Sequence, residues 1–222
     1  MSAPAKIAAL KKPVVAALII FVVTLAADQI TKQWAYHTLV NEEFHALTDA
    51  HPACTSPDAE LDRARLVYRT AAPIEVVPHM FNFRYVENCA NAFGMLQKVP
   101  AKVRFPLLLV ISFLACIVIP YMFVKTPSDH RFMLYALPFV LGGALGNLLD
   151  RMIYRFVIDF VDWYVVLGGK EYHWPTFNIA DVAIVIGIGL MILQMLPGGR
   201  KNTPADSAKE ADAPPKKTPG NA

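Results

Sequence analysis

Ionisable side chains stand at the ends of long apolar blocks in this chain, where a charge is costly unless it is paired or functional. Asp28 and Lys32 lie four residues apart at the end of the first block. Asn147, Asp150 and Arg151 share one helical face at the end of the third block. Each set also has a structural explanation, as a helix-end ion pair or a capped helix terminus. They indicate a site only if other polar groups join them.

A second set of polar residues follows later in the sequence. Asp159 comes eight residues after Arg151, and Asn178 and Asp181 stand three residues apart at the start of the fourth block. An acidic residue in a first helical turn is also explained by the helix dipole. If the first helix leaves the membrane on the side where the fourth enters it, both sets lie at one bilayer interface. Helix-end structure alone does not explain such a collection of carboxylates and amides.

These residue types favour carboxylate chemistry. Two facing aspartates can share one proton, so that one acts as a base on water and the other as an acid toward a carbonyl. The six histidines form no HExxH motif and lie outside the blocks, so a metalloprotease is not expected. Ser112 is the only serine in a block and has no His or Lys near it, which argues against a serine hydrolase. A proton-coupled transporter or a lipid-handling membrane protein would use the same carboxylates and stays open as an alternative.

Four apolar blocks would position these residues. Of the 222 residues, 55% are hydrophobic and 18% are charged, and the mean hydropathy is +0.38, which excludes a soluble cytosolic enzyme and a disordered protein. The net charge of +3 comes with no basic face, so no nucleic-acid partner is expected. About 20 helical residues cross a bilayer, so the blocks predict an all-α membrane protein of four transmembrane helices with both termini on one side. The blocks are Pro13–Ala27 (continuing as helix through Trp34), Phe105–Val124, Phe132–Leu149 and Phe177–Leu196.

The first block also resembles a signal peptide, because lysines precede it and Leu25-Ala26-Ala27 offers small residues for cleavage. The helical pattern continues past Ala27, so a retained helix is the expectation. Basic residues near the helix ends are divided almost evenly between the two sides. They orient the chain only weakly, although the N-terminal lysines favour cytoplasmic termini.

Two smaller features constrain the structure rather than the function. Cys54, Cys89 and Cys116 lie far apart in the sequence, so they allow at most one disulfide and form no metal-binding motif. The small residues of GGALG (142–146) predict a helix face for close packing against another helix.

Residues 37–104, between the first two helices, are predicted to be an extracytoplasmic segment. Residues 41–72 are polar, whereas the chain from Ile74 onward is rich in β-branched and aromatic residues, with a turn signal at Val77-Pro78-His79. We therefore expect a small β-rich region of short strands on the membrane surface. Residues 1–199 then form one integral membrane domain, and residues 200–222, rich in Pro, Lys, Ala and Asp, form a disordered tail.

Five sequence blocks in order along the chain resemble those of the lipoprotein signal peptidase (signal peptidase II) family. GGALGNLLDR (142–151) and FNIAD (177–181) are similar to its specific third and fifth motifs, and VIDF (157–160) is similar to its fourth. DQITK (28–32) resembles the first motif, and residues 77–96 resemble the second. Residues 41–72 then look like an insertion beyond the usual family length.

The resemblance implies an inner-membrane aspartic endopeptidase, a hydrolase in which a dyad-activated water attacks the scissile carbonyl. Its substrates would be diacylglyceryl-modified prolipoproteins, cleaved just before the lipidated cysteine. The resemblance also implies cytoplasmic termini, a site toward the outer leaflet, contact with membrane phospholipid and inhibition by globomycin. No metal or organic cofactor is expected.

The family motifs carry residue roles onto this chain. The catalytic aspartates would be Asp159 and Asp181, oriented by Asn178. The remaining expectations are that Asn147 and Arg151 hold the substrate backbone, that Asp150 holds Arg151 in place, and that Asp28 and Asn88 complete the polar ring.

The second motif departs from the family pattern. The family usually has Asn-x-Gly-Ala-Ala-Phe, whereas this chain has NCANAF at residues 88–93. Ala90 replaces the glycine and restricts the backbone, while Asn91 adds a polar group. Asn88 is aligned with the family asparagine, and Asn91 remains an alternative for that position.

Overall fold

A computed structural model describes residues 3–40, 71, 73–89 and 99–196 of the chain. Within these ranges lie four helices, at the four predicted blocks: α1 (Ala3–Thr38), α2 (Ala101–Lys125), α3 (Arg131–Tyr154) and α4 (Ile179–Met195). Helices α1, α2 and α3 contain stretches that are long and apolar enough to cross a membrane. Helix α4 is equally apolar in character but has only 17 residues. At 1.5 Å per residue it spans about 26 Å, somewhat less than a hydrocarbon core of about 30 Å.

Helix α3 is the centre of the bundle and packs against each of the other three helices. Its small residues allow this, because a Cβ added at Gly142 would lie 2.8 Å from Thr24 Cγ2 of α1. A Cβ at Gly143 would collide with the Ala180 carbonyl oxygen of α4, and one at Gly146 with the Asp28 carboxylate of α1. The predicted close-packing face is therefore confirmed, and it serves two neighbouring helices.

An antiparallel four-stranded sheet follows the order β1-β2-β3-β4, with strands β1 (Ile74–Val77), β2 (Phe81–Asn88), β3 (Val157–Leu167) and β4 (Lys170–His173). The first two strands and the turn between them lie where the β-rich sequence predicted them, and His79 in that turn has a φ of 62°. Strand β3 was assigned to no element, although it is the longest strand of the described sheet. Its first four residues are all buried, so the start of the strand lacks the alternation that marks a half-exposed strand.

The sheet packs against the C-terminal end of α1. Ala35 and Leu39 of that helix share a buried hydrophobic cluster with Tyr85 of β2 and Ile158 and Phe160 of β3. The Trp34 ring also meets the Phe83 ring edge-on, with centroids 5.0 Å apart. This packing holds the start of β3, which contains Asp159, beside the end of the helical bundle.

Several predictions from the sequence lie outside the described residues. They are the insertion at 41–72 apart from Ala71, the alternative asparagine Asn91, and the tail at 200–222. Of the described cysteines, Cys89 is disulfide-bonded and Cys116, in α2, is a free thiol. These two states agree with the limit of one disulfide set by the sequence.

Candidate active site

Lys32 lies at the centre of a buried polar network at one end of the helical bundle. Its side chain is 1% exposed, and its Nζ lies 2.8 Å from Asp28 Oδ2 and 2.9 Å from Asp150 Oδ2. The same ammonium donates a hydrogen bond of 2.9 Å to Asn147 Oδ1. One cation is thus balanced by two carboxylates and an amide oxygen, as a buried charge requires. The Asp28–Lys32 pair is therefore part of a network that joins α1 to α3.

Asn147 relays this network toward α4. Its Oδ1 accepts from Lys32 Nζ and from Asn178 Nδ2, the latter at 3.2 Å. Because two donors point at Oδ1, the amide is oriented with its Nδ2 on the other side, where it donates to Asp181 Oδ1 at 3.0 Å. The buried lysine thereby determines which way the Asn147 amide faces Asp181.

Asn178 links the two aspartates of the predicted dyad. It is the N-cap of α4, where its Oδ1 accepts from the Asp181 N–H at 3.0 Å and its own N–H donates to Asp181 Oδ2 at 3.3 Å. This reciprocal capping box satisfies two N–H groups of the helix start. The Asn178 Nδ2 donates to Asp159 Oδ1 at 2.7 Å. A fully buried amide therefore bridges the start of α4 and strand β3.

Asp159 is the most enclosed carboxyl group of the predicted dyad, with 1% of its surface exposed, whereas Asp181 is half-buried. The Oδ2 atom of Asp159 accepts a hydrogen bond from Asn88 Nδ2 of β2 at 2.8 Å. Burial raises the pKa of Asp159 well above its usual range, and the negative charge of Asp181 raises this pKa further. The Asn88 and Asn178 hydrogen bonds and the Lys32 charge act in the opposite direction. The Asp159 carboxyl group therefore keeps its proton to a higher pH than an ordinary aspartate does, because its pKa is raised.

Asp28 and Asp150 fix the ends of neighbouring elements. Asp28 Oδ1 accepts from the Ala180 N–H at 2.9 Å and so caps α4 from the neighbouring helix α1. Asp150 Oδ2 accepts from the Ile158 N–H at 3.1 Å, which ties the end of α3 to the strand that carries Asp159. Within the described residues Asp150 pairs with Lys32 and no ion pair joins it to Arg151, so the role of Asp150 in holding Arg151 stays a prediction. Adjacent residues on a helix point about 100° apart, so one faces α1 while the other does not.

Arg151 lies at the same level of the bundle and is half-buried. Its Nη1 donates to the Asn147 carbonyl oxygen at 3.0 Å and lies 3.5 Å from Ser112 Oγ of α2. Among the described residues, its hydrogen bonds involve Nη1 alone, which leaves the other guanidinium donors available to a ligand. Arg151 thus extends the polar network toward α2.

The structure brings together all eight residues that the sequence nominated, in one connected region at one end of the bundle. Two further residues take part: Lys32, which the sequence paired with Asp28 but to which it assigned no role in the site, and Gln29, whose Nε2 donates to Asp150 Oδ1 at 3.2 Å. No local pattern marks Gln29. Within the described ranges, no three His, Cys, Asp or Glu side chains are arranged to hold a metal ion.

Three membrane-length helices, with buried ionisable groups near the ends of α1 and α3, define an integral membrane protein. Residues 20–197 match the family described as "Signal peptidase (SPase) II". The chain therefore belongs to the signal peptidase II family, peptidases that process the signal peptides of bacterial lipoproteins.

Individual relatives agree with this assignment. A lipoprotein signal peptidase of Alteromonas mediterranea is 40% identical over 136 residues, which cover 61% of this chain and 71% of the relative. One from an Anaeromyxobacter species is 33% identical over 183 residues, which cover 82% of this chain and 84% of the relative.

Two solved structures, each titled as a bacterial membrane enzyme, have a similar fold. One is 24% identical, with a TM-score of 0.58 over 90% of this chain and 94% of that chain. The other is 25% identical, also with a TM-score of 0.58, over 82% of this chain and 92% of that chain.

Proposed function

We propose that this protein is an aspartic endopeptidase that removes signal peptides from diacylglyceryl-modified prolipoproteins by cleaving just before the lipidated cysteine. The observation that carries the proposal is the bridge made by Asn178, which donates to Asp159 Oδ1 and caps the helix turn that holds Asp181. A single amide that orients two carboxylates is suited to a pair that shares one proton.

The environments of the two carboxylates favour different roles. Asp159 is buried and its pKa is raised, first by desolvation and then by Asp181, so it is the member that carries the proton. Asp181 is half-buried, accepts two hydrogen bonds and lies at the positive end of the α4 dipole, where a negative charge is stabilised. Asp181 then takes a proton from water, whose oxygen bonds to the scissile carbonyl carbon, while Asp159 protonates the carbonyl oxygen. The C–N bond breaks as Asp181 passes its proton to the leaving nitrogen and the carbonyl re-forms with return of the other proton to Asp159.

Two other side chains support substrate binding. The guanidinium of Arg151 has donors beyond Nη1 that can bind a carbonyl oxygen of an extended substrate. Asn147 contacts Asp181 and Lys32 directly, so its role is to orient the base as well as to face the substrate.

The position of the polar residues along the helices supports a site at one face of the membrane. Asp28 and Lys32 lie in the second half of α1, and Asn147 and Arg151 lie in the last two turns of α3, so both helices reach the site from the side of the N-terminus. Helix α4 starts at this level and runs back. If α2 and α4 also span, both termini lie on one side of the membrane and the site on the other. We assign the termini to the cytoplasm, so that the site faces the outer leaflet, where the lipid of a prolipoprotein and bilayer phospholipid are accessible. The short length of α4 agrees with this arrangement, because the helix begins inside the polar network, at its N-cap Asn178, and does not extend past that level.

The test is cleavage by the purified protein. The full chain is incubated in lipid with a diacylglyceryl-modified prolipoprotein, with the same precursor lacking the lipid as control, and products are resolved on a gel and sequenced. We expect cleavage only of the lipidated precursor, a new N-terminus at the lipidated cysteine, and inhibition by globomycin. Absence of cleavage by the wild-type protein, or full activity of Asp159→Asn, would overturn the proposal.

A further inference from the structure

Strand β2 contains a β-bulge between its two halves. Phe83 pairs with Val161, whereas Val86 pairs with Asp159. Two residues of β2, Arg84 and Tyr85, therefore stand opposite the single residue Phe160 of β3. An extra residue in one strand shifts every later side chain of that strand relative to its partner.

The bulge decides which face of the sheet Asn88 occupies. With it, Asn88 pairs with Val157, which lies on the same face as Asp159 because side chains alternate along a strand. A regular register continued from Phe83 would pair Asn88 with Phe156 and turn its side chain to the opposite face. The 2.8 Å bond from Asn88 Nδ2 to Asp159 Oδ2 therefore depends on the bulge.

A buried charge cluster on the other face anchors the bulge. Asp162 is 1% exposed, and its Oδ2 lies 3.4 Å from Nε of Arg84, the first residue of the bulge. Its Oδ1 lies 2.8 Å from Nδ1 of His173 on β4. The His173 ring stacks on Tyr164, with centroids 5.0 Å apart, and its Nε2 lies 3.3 Å from Glu171 Oε2. The cluster thus joins β2, β3 and β4, and among the described residues its contacts include none of the polar network around Asp159.

The contacts of Asp162 make the bulged register the favourable one. Within the described residues, Asp162 Oδ2 has no hydrogen-bond partner, so the ion pair with Arg84 is its compensation for burial. If β2 slipped by one residue, Arg84 would leave Asp162 and the buried Tyr85 would leave its cluster with Ile158 and Phe160. Both changes oppose the slip.

We propose that Arg84 and Asp162, supported by His173, are positioning residues that hold the β2 bulge and so place Asn88 on Asp159. This role rests on the proposed function of Asp159. Arg84 and Asp162 contact neither dyad carboxyl group in the described structure, and they act only through the register of β2. Asp162 and His173 lie outside the five sequence blocks that resemble the family motifs, and Arg84 lies in the second block but before its NCANAF segment.

A double-mutant cycle separates this role from general stabilisation. In purified full-length protein, Asn88→Ala should lower kcat about tenfold, and Arg84→Gln about fivefold, the effects of single hydrogen bonds or ion pairs. If Arg84 acts through Asn88, the double variant should lose about tenfold, not about fiftyfold. Lys170→Gln, which removes a cation from the exposed tip of the same sheet, is the matched control and should retain wild-type activity.

The pH profile supplies a readout that loss of stability would not move. Asp159 is influenced by Asp181, Lys32, Asn88 and Asn178, and it lies close enough to Arg151 for their charges to interact. Loss of the Asn88 donor removes an interaction that lowers the Asp159 pKa, so the alkaline limb of kcat/KM should move to higher pH. Arg84→Gln should move the same limb in the same direction, and His173→Gln should do so too.

Clear outcomes overturn the proposal. Additive losses in the double variant, or a wild-type rate and pH profile in both Arg84→Gln and His173→Gln, would contradict it. Thermal melting establishes whether each variant is folded. If Arg84→Gln does not fold, His173→Gln replaces it in the cycle with Asn88→Ala. Asp159→Asn separates the two levels of inference: if it is inactive while the cycle is additive, only the positioning role fails. If Asp159→Asn remains fully active, the proposed function itself fails.

Discussion

Asn178 Nδ2 lies 2.7 Å from Asp159 Oδ1, although the two residues belong to different elements and are 19 positions apart. The Oδ1 of the same amide accepts from the Asp181 N–H at 3.0 Å. The helix cap of α4 is therefore also the connection between the two aspartates. Asn178 therefore serves the stability of α4 and the orientation of both carboxyl groups at once.

Substitution of either aspartate tests the dyad. Asp159→Asn and Asp181→Asn should each lower the rate of prolipoprotein cleavage by at least about 10²-fold, because each removes the acid or the base of the reaction. Expression and membrane insertion should stay near wild type. The control is Asp129→Asn, an exposed carboxylate before α3, at the opposite end of that helix from the site. Near-normal turnover by either dyad variant would refute the assignment.

Arg151 tests how the substrate is held. Arg151→Lys keeps the charge but cannot reproduce a planar guanidinium that donates to Asn147 O and to a substrate carbonyl at the same time. We expect a loss of about tenfold in kcat/KM, measured on a lipidated peptide, the size expected for one charged hydrogen bond. Arg131→Lys, at the exposed start of the same helix, should have no effect. Equal activity of both lysine variants would show that Arg151 acts only as a charge at the helix end and does not bind the substrate backbone.

The raised pKa of Asp159 predicts a pH dependence of stability. The folded protein binds the Asp159 proton more tightly than the unfolded chain, whose pKa is about 4. This contribution to stability is therefore fully present below the unfolded-state pKa and is lost as pH rises toward the folded-state pKa. Melting in detergent should show Tm decreasing over that window, with a smaller decrease in Asp159→Asn. An identical slope in the two proteins would show that Asp159 does not titrate with folding.

Two glycines of α4 provide a matched pair for helix packing. A Cβ at Gly187 would collide with Val140 and lie 2.9 Å from the Ala136 carbonyl oxygen, whereas a Cβ at Gly189 would have no atom within 4 Å. Gly187→Ala should therefore destabilise the protein by about 1–3 kcal/mol. Gly189→Ala should change its stability by no more than about 1 kcal/mol. Thermal melting of the two variants measures the difference, and equal melting temperatures would show that α3 and α4 pack less closely than described.

The helices and the nominated polar residues were accessible from the sequence because their signals are local. Apolar runs near membrane length marked all four helices, and charges at their ends stood out against that background. The β1–β2 turn was accessible for the same reason, since Val77-Pro78-His79 is a short-range signal. The start of strand β3 was not, because Val157–Phe160 are buried on both faces and show no periodicity to distinguish them from other apolar segments.

The partners of the polar residues were decided by tertiary structure alone. The sequence associates Asp150 with its neighbour Arg151, yet the packing of α1 on α3 gives Asp150 to Lys32, 118 positions away. The side chain of Asn88 faces Asp159 only because one extra residue in β2 moves the later side chains of that strand to the opposite face of the sheet. Residue types and local periodicity determine which groups collect at one end of the bundle. Hydrogen bonds and ion pairs act over about 3 Å, so their pairing depends on register and helix contact, which arise only when the elements pack together.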